Sequence, residues 1–491
     1  MIRTRICLYV LLLAPLLVYC QMIFHDFGFR DDYAHLRESR EEPGKLVKFT
    51  ASHGRPLYGA LLETSFSEAA DVDNLPWLRL TSVALLTLLG LALWRQLYQS
   101  GWSEIQAAAI GLGVILLPAA QVVAGWAVCW PHVLALLLAV AGFSAIETEL
   151  ERGGMKRVVA LLGGCMIYAV AGLLYQSNVL FAVVPIAAVL LVRGARERLT
   201  DLRWAAMHLG ALILGLAASY FVVQALFSSG VFAPSPRLQF ESEYFGKLLW
   251  FFEQPLANAL GLYALRDSYD ATNPAFWGAV VVVVFVIGFG VKAATDPVQK
   301  KKWLLCLIAL PFLAHGVSLA AAERAIGYRT LFALSGLVLV LVMFTLRSLL
   351  NAGRLKPWMH HLALAVILAG AAFTANRNSF MLLAEPQGYE WDLVLAPVMR
   401  TTFKPGTKVY LITPTPADRS TSQSFADEFG SLSSDSDWAP KEMFNCAMRA
   451  RFGHKLPKGI SYTVALGRAV PAASDYDLVI DLRKLSKWRV Q

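Results

Sequence analysis

Residues 1–21 read MIRTRICLYVLLLAPLLVYCQ, a basic start followed by an apolar run that contains no charged residue. The run is close to the roughly 20 residues that an α-helix needs to cross the hydrocarbon core of a bilayer. No small-residue cleavage motif follows it, so we interpret it as an uncleaved first span and not as a signal peptide. Similar apolar runs recur along most of the chain, and this recurrence decides the fold class.

The overall composition agrees with a membrane protein. The chain has 491 residues, of which 56% are hydrophobic and only 16% charged, and its mean hydropathy is +0.51. Ordinary soluble proteins carry roughly 25% charged residues. The net charge of +9 comes from short basic clusters between apolar runs, a pattern typical of membrane topology, so it does not indicate nucleic-acid binding. The sequence therefore predicts a polytopic α-helical membrane protein.

Apolar length and flanking charge predict about eleven transmembrane helices and a cytoplasmic N-terminus. The predicted spans lie near residues 6–24, 77–97, 105–123, 128–147, 157–174, 177–192, 204–226, 275–292, 303–320, 328–347 and 359–376. Basic residues occupy every second connection, whereas the short connections AGWAVCWP and YQSN contain none. By the positive-inside rule, four pieces then lie outside. They are residues 25–76, 227–274, 320–330 and the tail from about 377.

The outer pieces are predicted to be folded. DDYAHLRESR, PLYGALLETSFSEAA and FGKLLWFFEQPLANALGLYAL have apolar residues at helical spacing and predict interfacial helices. In the tail, TKVYLITPTP, ISYTVAL and YDLVIDL predict strands, and SFADEFG and KEMFNCAMRARFG predict helices. We therefore divide the chain into a transmembrane catalytic domain, residues 1–376, and a small periplasmic α/β domain, residues 377–491, which we interpret as a docking or capping module.

Ionisable residues are scarce inside the predicted spans and concentrated outside them. A transporter usually couples charge movement to acidic or basic groups within the bilayer. This distribution favours chemistry at the outer membrane surface.

The segment FHDFGFRDDYAHLRE, residues 24–38, follows the first span and contains the adjacent carboxylates Asp31 and Asp32. Neighbouring carboxylates resist full ionisation, which suits one of them to accept a proton during catalysis. An acidic pair at the start of a helix also caps that helix and complements its dipole. Both interpretations of the pair stay open from the local pattern.

Two further outer segments carry hydrogen-bond donors. SHGRPLYGALLE, residues 52–63, presents His53 and Arg55 before a helix, an arrangement that suits a phosphate or a sugar hydroxyl. The turn at 320–330 contains Arg324 and Arg329, although outer turns rarely keep arginines, and a planar guanidinium suits phosphate oxygens. A plain turn and interfacial snorkelling are the respective alternatives.

Taken in order, FRDDY after the first span, G-R-P-L before a helix, YQSN between spans five and six and Y-R in a late outer turn resemble the GT-C superfamily. The chain is most similar to its bacterial O-antigen glucosyltransferase and pilin arabinosyltransferase branch, over about residues 1–350. The resemblance implies an inverting hexosyl- or pentosyltransferase of the bacterial inner membrane. It would move one sugar from a polyprenyl monophosphate to a periplasmic glycan, such as O-antigen, or to a protein such as pilin.

The resemblance also implies roles for individual residues. Asp31 or Asp32 would be the catalytic base, with preference for Asp31, because family members place the base at the first acidic position of this loop. The donor phosphate would be bound by Arg329, Arg324, Arg55, Lys48 and Tyr328, and the substrate by His53, Tyr33, Gln176 and Glu323. Some family members use a divalent cation, which the Asp pair and His53 could hold, but the sequence shows no metal-ligand spacing. We therefore predict no metal and no other cofactor.

Two alternative functions remain at this point. A polysaccharide polymerase or ligase would share the many spans and outer arginines but would act on a diphosphate-linked glycan. The second alternative is a lipid-sugar transporter or flippase. Internal repeats in the spans would favour it, and the sequence shows none.

Overall fold

A computed structural model describes residues 2–194, 199–268, 270–294, 296–324, 327–415, 425, 427–472 and 474–483. The first part of the chain contains α1 (Ile2–Ile23), α2 (Asp31–Glu41), α3 (Lys45–Ser52), α4 (Pro56–Ala69), α5 (Leu75–Gln99), α6 (Glu104–Val114), α7 (Pro118–Gly125), α8 (Trp130–Leu150), α9 (Gly154–Leu174), α10 (Gln176–Val179) and α11 (Val183–Val192). The second part contains α12 (Asp201–Ser228), α13 (Tyr244–Phe251), α14 (Ala257–Leu260), α15 (Pro274–Ala293), α16 (Pro297–Leu304), α17 (Leu310–Ala314), α18 (Gly316–Ala320), α19 (Phe332–Asn351), α20 (Pro357–Asn378), α21 (Glu385–Arg400) and α22 (Ala439–Phe452). Three strands complete the described part of the chain, β1 (Thr407–Ile412), β2 (Tyr462–Gly467) and β3 (Leu478–Asp481).

Eight helices of the described residues are long and apolar enough to cross a membrane. They are Thr4–Ile23, Val72–Gln99, Ala127–Leu150, Gly154–Leu174, Asp201–Ser228, Pro274–Ala293, Phe332–Asn351 and Pro357–Arg400. Each coincides with one of the eleven predicted spans. The structure therefore supports a mostly helical, multi-pass membrane protein.

The other three predicted spans are helical but irregular. Residues 105–123 form α6 and α7, which meet at an angle of 54° where Pro118 begins the second helix. Residues 177–192 belong to an apolar stretch, Gln176–Val192, that is shorter than the eight. Residues 303–320 are divided into short pieces with a π-helical stretch, Leu305–Ala309, just before Pro311, because proline cannot donate the next helical hydrogen bond. The total of eleven spans stays a prediction.

Close helix packing holds the bundle together. A Cβ atom added at Gly111 of α6 would lie 2.6 Å from the carbonyl oxygen of Gly90 in α5, so only glycine permits this crossing. Helix α19 lies at the centre of the bundle, because 72% of its most apolar stretch is buried, whereas only 28% is buried in the corresponding stretches of α12 and α15. The apolar surface of these last two helices is therefore left for lipid.

The tail and three connections, those after α1, α12 and α18, meet at one end of the bundle, where their residues line one cavity. We call this end the loop face. The predicted loop helices are confirmed as α2, α4 and the pair α13 and α14. In the tail all three predicted strands are present and form a parallel sheet in the order β2-β1-β3. Strand β1 pairs with both neighbours, so it lies at the centre of the sheet.

The tail helices agree with the prediction only in part. The segment KEMFNCAMRARFG is confirmed as α22, but the helix predicted for SFADEFG is wrong. In its described part, Asp427 has a left-handed backbone with φ of +64°, which no α-helix accommodates, and a turn runs through 427–430. Ser424 and Ala426 lie outside the described residues.

The tail packs directly on the first loop. The Arg37 side chain on α2 donates to Glu442 on α22 at 2.8 Å, and Arg449 donates to the carbonyl oxygen of Leu36 at 3.2 Å. The predicted boundary at 376/377 falls inside a helical run that continues from α20 through a π-helical stretch, Ser379–Ala384, into α21. The division into two domains therefore stays a proposal, and the last predicted span runs into the tail as one continuous helical segment.

Candidate functional site

A cavity of about 720 Å³ opens at the loop face. Its walls come from the first loop, the start of α10, helix α12, the loop after α12, the turn after α18 and the tail. Apolar side chains of α12 and α18 line one part, and charged side chains line the other. Among the described residues, the acidic and basic side chains of its wall are Arg30, His53, Arg55, Arg237, Glu323, Arg329, Asp427 and Glu428.

The cavity brings together part of the predicted site. Five predicted site residues line it: His53, Arg55, Gln176, Glu323 and Arg329. Six predicted residues are absent from its described wall: Asp31, Asp32, Tyr33, Lys48, Arg324 and Tyr328. Segments separated by well over a hundred residues therefore meet at one place, as the common outer location of these motifs predicts.

The turn before α4 positions Arg55. Gly54 has φ of +77°, and a Cβ atom there would lie 3.0 Å from Nε2 of Gln176, so glycine suits both the backbone and the space. The Nε of Arg55 donates to Oε1 of Gln176 at 3.3 Å, and its guanidinium lies 4.1 Å from the ring centroid of Tyr175. The YQSN connection thus orients the arginine of the first loop.

His53 is held beside Arg55, and its contacts favour a neutral imidazole whose N–H donates to the backbone of α3. Its Nδ1 lies 2.7 Å from the carbonyl oxygen of Phe49, which can only accept, and its Nε2 lies 3.3 Å from Oγ of Ser235. Burial lowers the pKa of His53, and the nearby cations Arg55 and Arg237 lower it further although the Phe49 contact opposes them. We therefore expect an uncharged imidazole at neutral pH.

Arg329 lines the cavity from the turn before α19. Its guanidinium lies 4.5 Å from the ring centroid of Trp126, and Nη1 lies 3.4 Å from Oε1 of Glu428. The other oxygen of Glu428 lies 2.7 Å from Nη1 of Arg30, so one buried carboxylate joins two arginines. Burial opposes the charge of Arg329, but the Asp427 and Glu428 carboxylates raise its pKa above the ordinary value. The guanidinium therefore stays charged.

Sequence reasoning missed four charged residues of the wall: Arg30, Arg237, Asp427 and Glu428. The last two belong to the tail, which we predicted to be a docking module. Asp427 accepts a hydrogen bond from the backbone N–H of Tyr328 at 2.7 Å, across 99 residues of sequence. In the sequence, Asp427 and Glu428 are visible only as an adjacent acidic pair, and such a pair resembles the polar face of a helix.

The acidic pair of the first loop lies beside the cavity. Asp32 is fully buried, and its carboxylate accepts hydrogen bonds from the backbone N–H groups of Phe29 at 2.9 Å and Val128 at 3.1 Å. Burial raises the pKa of Asp32 to about 7, although these bonds and Arg79 oppose the shift. Asp31 is half-buried in the first turn of α2. The catalytic role of either residue stays a prediction.

The other predicted residues have contacts elsewhere. Tyr33 stacks on Trp391, and Tyr328 accepts a hydrogen bond from the N–H of Arg266 at 3.0 Å. Arg324 pairs with Glu243 at 2.7 Å, and the side chain of Lys48 is exposed. Across the described residues, no group of three or more His, Cys, Asp or Glu side chains is arranged to hold a metal ion.

Comparisons with known proteins give little beyond a distant similarity. No protein-family model and no curated protein match the chain. Two solved oligosaccharyltransferase structures from the archaeon Archaeoglobus fulgidus align with it at 11% identity and a TM-score of 0.44 each. One is AglB in complex with an inhibitory peptide and a dolichol-phosphate, and the other is tethered with an acceptor peptide via a disulfide bond. The alignments cover 90% and 95% of this chain but only 63% and 64% of those chains, so the chain spans less than two thirds of their length. A similarity of this size is too low to indicate a function.

Proposed function

We propose that this chain is an inverting glycosyltransferase of the GT-C type. It moves a single sugar from a polyprenyl monophosphate to an acceptor hydroxyl. The observation that carries the proposal is the cavity, which combines an apolar wall on a membrane-spanning helix with four arginines at the loop face. A lipid-linked sugar phosphate has the same two parts, a long apolar chain and a compact anionic group.

The apolar wall fits the lipid. Leu216 and Val223 of α12 line the cavity together with Val317 of α18. On other sides of α12, Leu214 and Phe221 are 63% and 68% exposed, which indicates contact with the membrane interior. One helix thus faces both the lipid phase and the cavity, so a polyprenyl chain can extend along it.

The charged wall fits one phosphate group. The described wall carries four arginines, Arg30, Arg55, Arg237 and Arg329, against three carboxylates, Glu323, Asp427 and Glu428. Positive charge is therefore in excess by one when all three carboxylates are ionised, and by more when Asp427 is protonated. Planar guanidinium groups bind phosphate oxygens in pairs of parallel hydrogen bonds. Arg55 and Arg329 are held in place by stacking on Tyr175 and Trp126, so little side-chain entropy is lost on binding.

The reaction is a single displacement at the anomeric carbon. The acceptor oxygen forms a new bond to this carbon as the bond to the phosphate oxygen breaks, which inverts the configuration. The departing phosphate gains negative charge, and prepositioned arginines stabilise it. A carboxylate accepts the proton of the acceptor hydroxyl. The sequence assigns this step to Asp31 or Asp32, and asparagine variants of both residues test that assignment.

The biological setting of the proposal follows the sequence. We place the chain in the bacterial inner membrane with the loop face in the periplasm, because basic residues avoid the short connections at that face. The acceptor is then a surface glycan such as O-antigen or a protein such as pilin, and the sugar is a hexose or a pentose. Mass spectrometry of surface glycans and pilins, with and without the chain, identifies both.

Binding of a polyprenyl monophosphate is the first prediction. The purified chain in detergent should unfold at a higher temperature with added polyprenyl monophosphate, because a ligand at 100 times its Kd stabilises by about 2.7 kcal/mol. A polyprenyl diphosphate should raise the unfolding temperature less, because the small excess of positive charge in the cavity wall does not balance the negative charge of a second phosphate.

The control for this experiment is the Arg55→Gln variant, which removes a guanidinium from the wall and should shrink the shift. A larger shift with the diphosphate would favour the polymerase or ligase alternative. Absence of a shift with either lipid would contradict a lipid-phosphate site.

A further inference from the structure

Two adjacent carboxylates from the tail enter the cavity and differ in their contacts. Glu428 is buried and joins Arg30 and Arg329, at 2.7 Å and 3.4 Å. Asp427 instead accepts the backbone N–H of Tyr328 at 2.7 Å. Glu428 therefore forms the ion pairs with both arginines, whereas Asp427 accepts a hydrogen bond from a neutral donor.

The backbone at Asp427 is unusual for a residue other than glycine. Its φ of +64° lies in the left-handed region, which costs about 1–3 kcal/mol and persists only where the surroundings impose it. The surroundings here do so through several buried hydrogen bonds. Gly430 N–H donates to the carbonyl oxygen of Leu382, Gln387 donates to that of Ser431, and Ser433 and Ser434 N–H donate to Glu390.

The same turn is tied to the first loop. The backbone N–H of Arg30 donates to Oγ of Ser433 at 3.0 Å, across 403 residues. The turn that carries Asp427 is thus bound to α21 and to the first loop through Arg30, and Asp427 itself is bound to the turn before α19 through Tyr328. A carboxylate fixed from three directions and directed into a cavity is the arrangement that proton transfer needs.

The electrostatic surroundings suit a proton acceptor. Burial and the adjacent Glu428 carboxylate raise the pKa of Asp427, while Arg329, the Tyr328 N–H and Arg30 oppose this shift. Asp427 therefore binds a proton more tightly than an ordinary aspartate, as a general base working near neutral pH requires. By contrast, Asp31 is absent from the described wall of the cavity, and both oxygens of Asp32 bind backbone N–H groups.

We propose that Asp427, from the tail, is the general base of the transfer reaction, so that the tail completes the active site. The inference rests on the proposed function. In the step, the acceptor O–H loses its proton to Asp427 as its oxygen bonds to the anomeric carbon. The electron pair of the broken bond leaves with the polyprenyl phosphate, which Arg329 and Arg55 hold. The proton later returns from Asp427 to solvent.

The Asp427→Asn variant tests this assignment without a change of fold. Asparagine tolerates the left-handed backbone, and its amide oxygen can still accept the Tyr328 N–H. We expect the variant to lose transfer by about 10²- to 10⁴-fold, the usual size of a general-base effect. The wild-type rate should fall on the acid side with a midpoint above the ordinary aspartate pKa, and the residual rate of the variant should lose this dependence.

The assays use the full chain in membranes. Binding is measured with a polyprenyl monophosphate, and transfer is measured as sugar mass added to the surface glycan or protein. The Asp437→Asn variant, an exposed aspartate of the tail outside the described cavity wall, is the matched control and should keep wild-type transfer. If wild type fails to bind the lipid, the proposed function fails. If wild type transfers sugar and Asp427→Asn does so equally, or if Asp31→Asn or Asp32→Asn alone loses transfer, the base lies elsewhere and the inference is overturned.

Discussion

Replacing Arg329 by glutamine is expected to lower the rate of sugar transfer by about 10²- to 10³-fold, the usual cost of removing one group that stabilises developing charge. The guanidinium is held over Trp126 at 4.5 Å and lines the cavity beside Glu428. Because the departing phosphate carries more negative charge than the bound donor, the loss should appear mainly in kcat. Initial rates in membranes, normalised to the amount of folded protein, measure it.

Arg324 provides the matched control, because it lies five residues away and was assigned the same role by sequence. It pairs with Glu243 at 2.7 Å and approaches Glu241 at 3.7 Å, away from the described cavity wall. Arg324→Gln should therefore stay within about threefold of the wild-type rate, as expected for an exposed ion pair of small energetic value. Equal losses in both variants would contradict a phosphate site centred on Arg329.

Replacement of Arg329 by lysine gives a finer test of geometry. Lysine keeps the positive charge but loses the planar group that stacks on Trp126 and forms paired hydrogen bonds. We expect Arg329→Lys to transfer sugar faster than Arg329→Gln but more slowly than the wild type. Full recovery would indicate that charge alone is needed at this position.

The two arginines also show what a sequence can and cannot predict. Both lie in one short turn between two predicted spans, and the local pattern does not distinguish them as phosphate ligands. Tertiary contacts separate them, since the loop after α12 supplies carboxylates to Arg324 while the tail supplies Glu428 to Arg329. Such pairings join residues 81 and 99 positions apart, so no periodicity or local spacing encodes them.

The fold was predictable wherever the signal is local. Eight spans, three strands and the loop helices follow from apolar length and periodicity, and the structure contains them. The segments that depart from a regular helix are those where a single residue interrupts the pattern. Pro118 bends one span, Pro311 follows an irregular stretch in another, and the left-handed backbone of Asp427 excludes the helix that the acidic sequence favours.

Asp32 gives the second large effect, on stability. Asp32→Ala is expected to lower the free energy of unfolding by about 2–6 kcal/mol, because two buried backbone N–H groups, of Phe29 and Val128, lose their acceptor at about 1–3 kcal/mol each. The buried Arg79, whose guanidinium donates to Phe27 and His25 carbonyl oxygens, loses a neighbouring negative charge as well. Thermal unfolding in detergent measures the change, and Asp270→Ala at an exposed loop position is the control.

The pH dependence of the unfolding temperature shows whether Asp32 titrates in the folded chain. Burial raises the pKa of Asp32 to about 7 in the folded chain, whereas an unfolded aspartate titrates near 3.9. The folded state therefore binds the proton more tightly, so this contribution to stability is complete below pH 4 and is lost as the pH rises through 7. Asp32→Asn cannot ionise. Its unfolding temperature should gain on that of the wild type between pH 5 and pH 8, and a constant difference would show that Asp32 does not titrate in this range.

Activity of the same asparagine variant decides between the two interpretations of the first-loop pair. If Asp32 joins the loop to the turn at Val128, folded Asp32→Asn keeps sugar transfer within about tenfold of wild type, because its amide oxygen still accepts one of the two N–H groups. If Asp32 is the base, the folded variant loses transfer to the extent expected of a missing proton acceptor. The geometry favours the first result, since a carboxylate with both oxygens bonded to backbone N–H groups is poorly placed to reach an acceptor hydroxyl. In that case the loop that follows the first span holds Arg30 and Arg55 at the cavity, and Asp427 of the tail is the proposed proton acceptor.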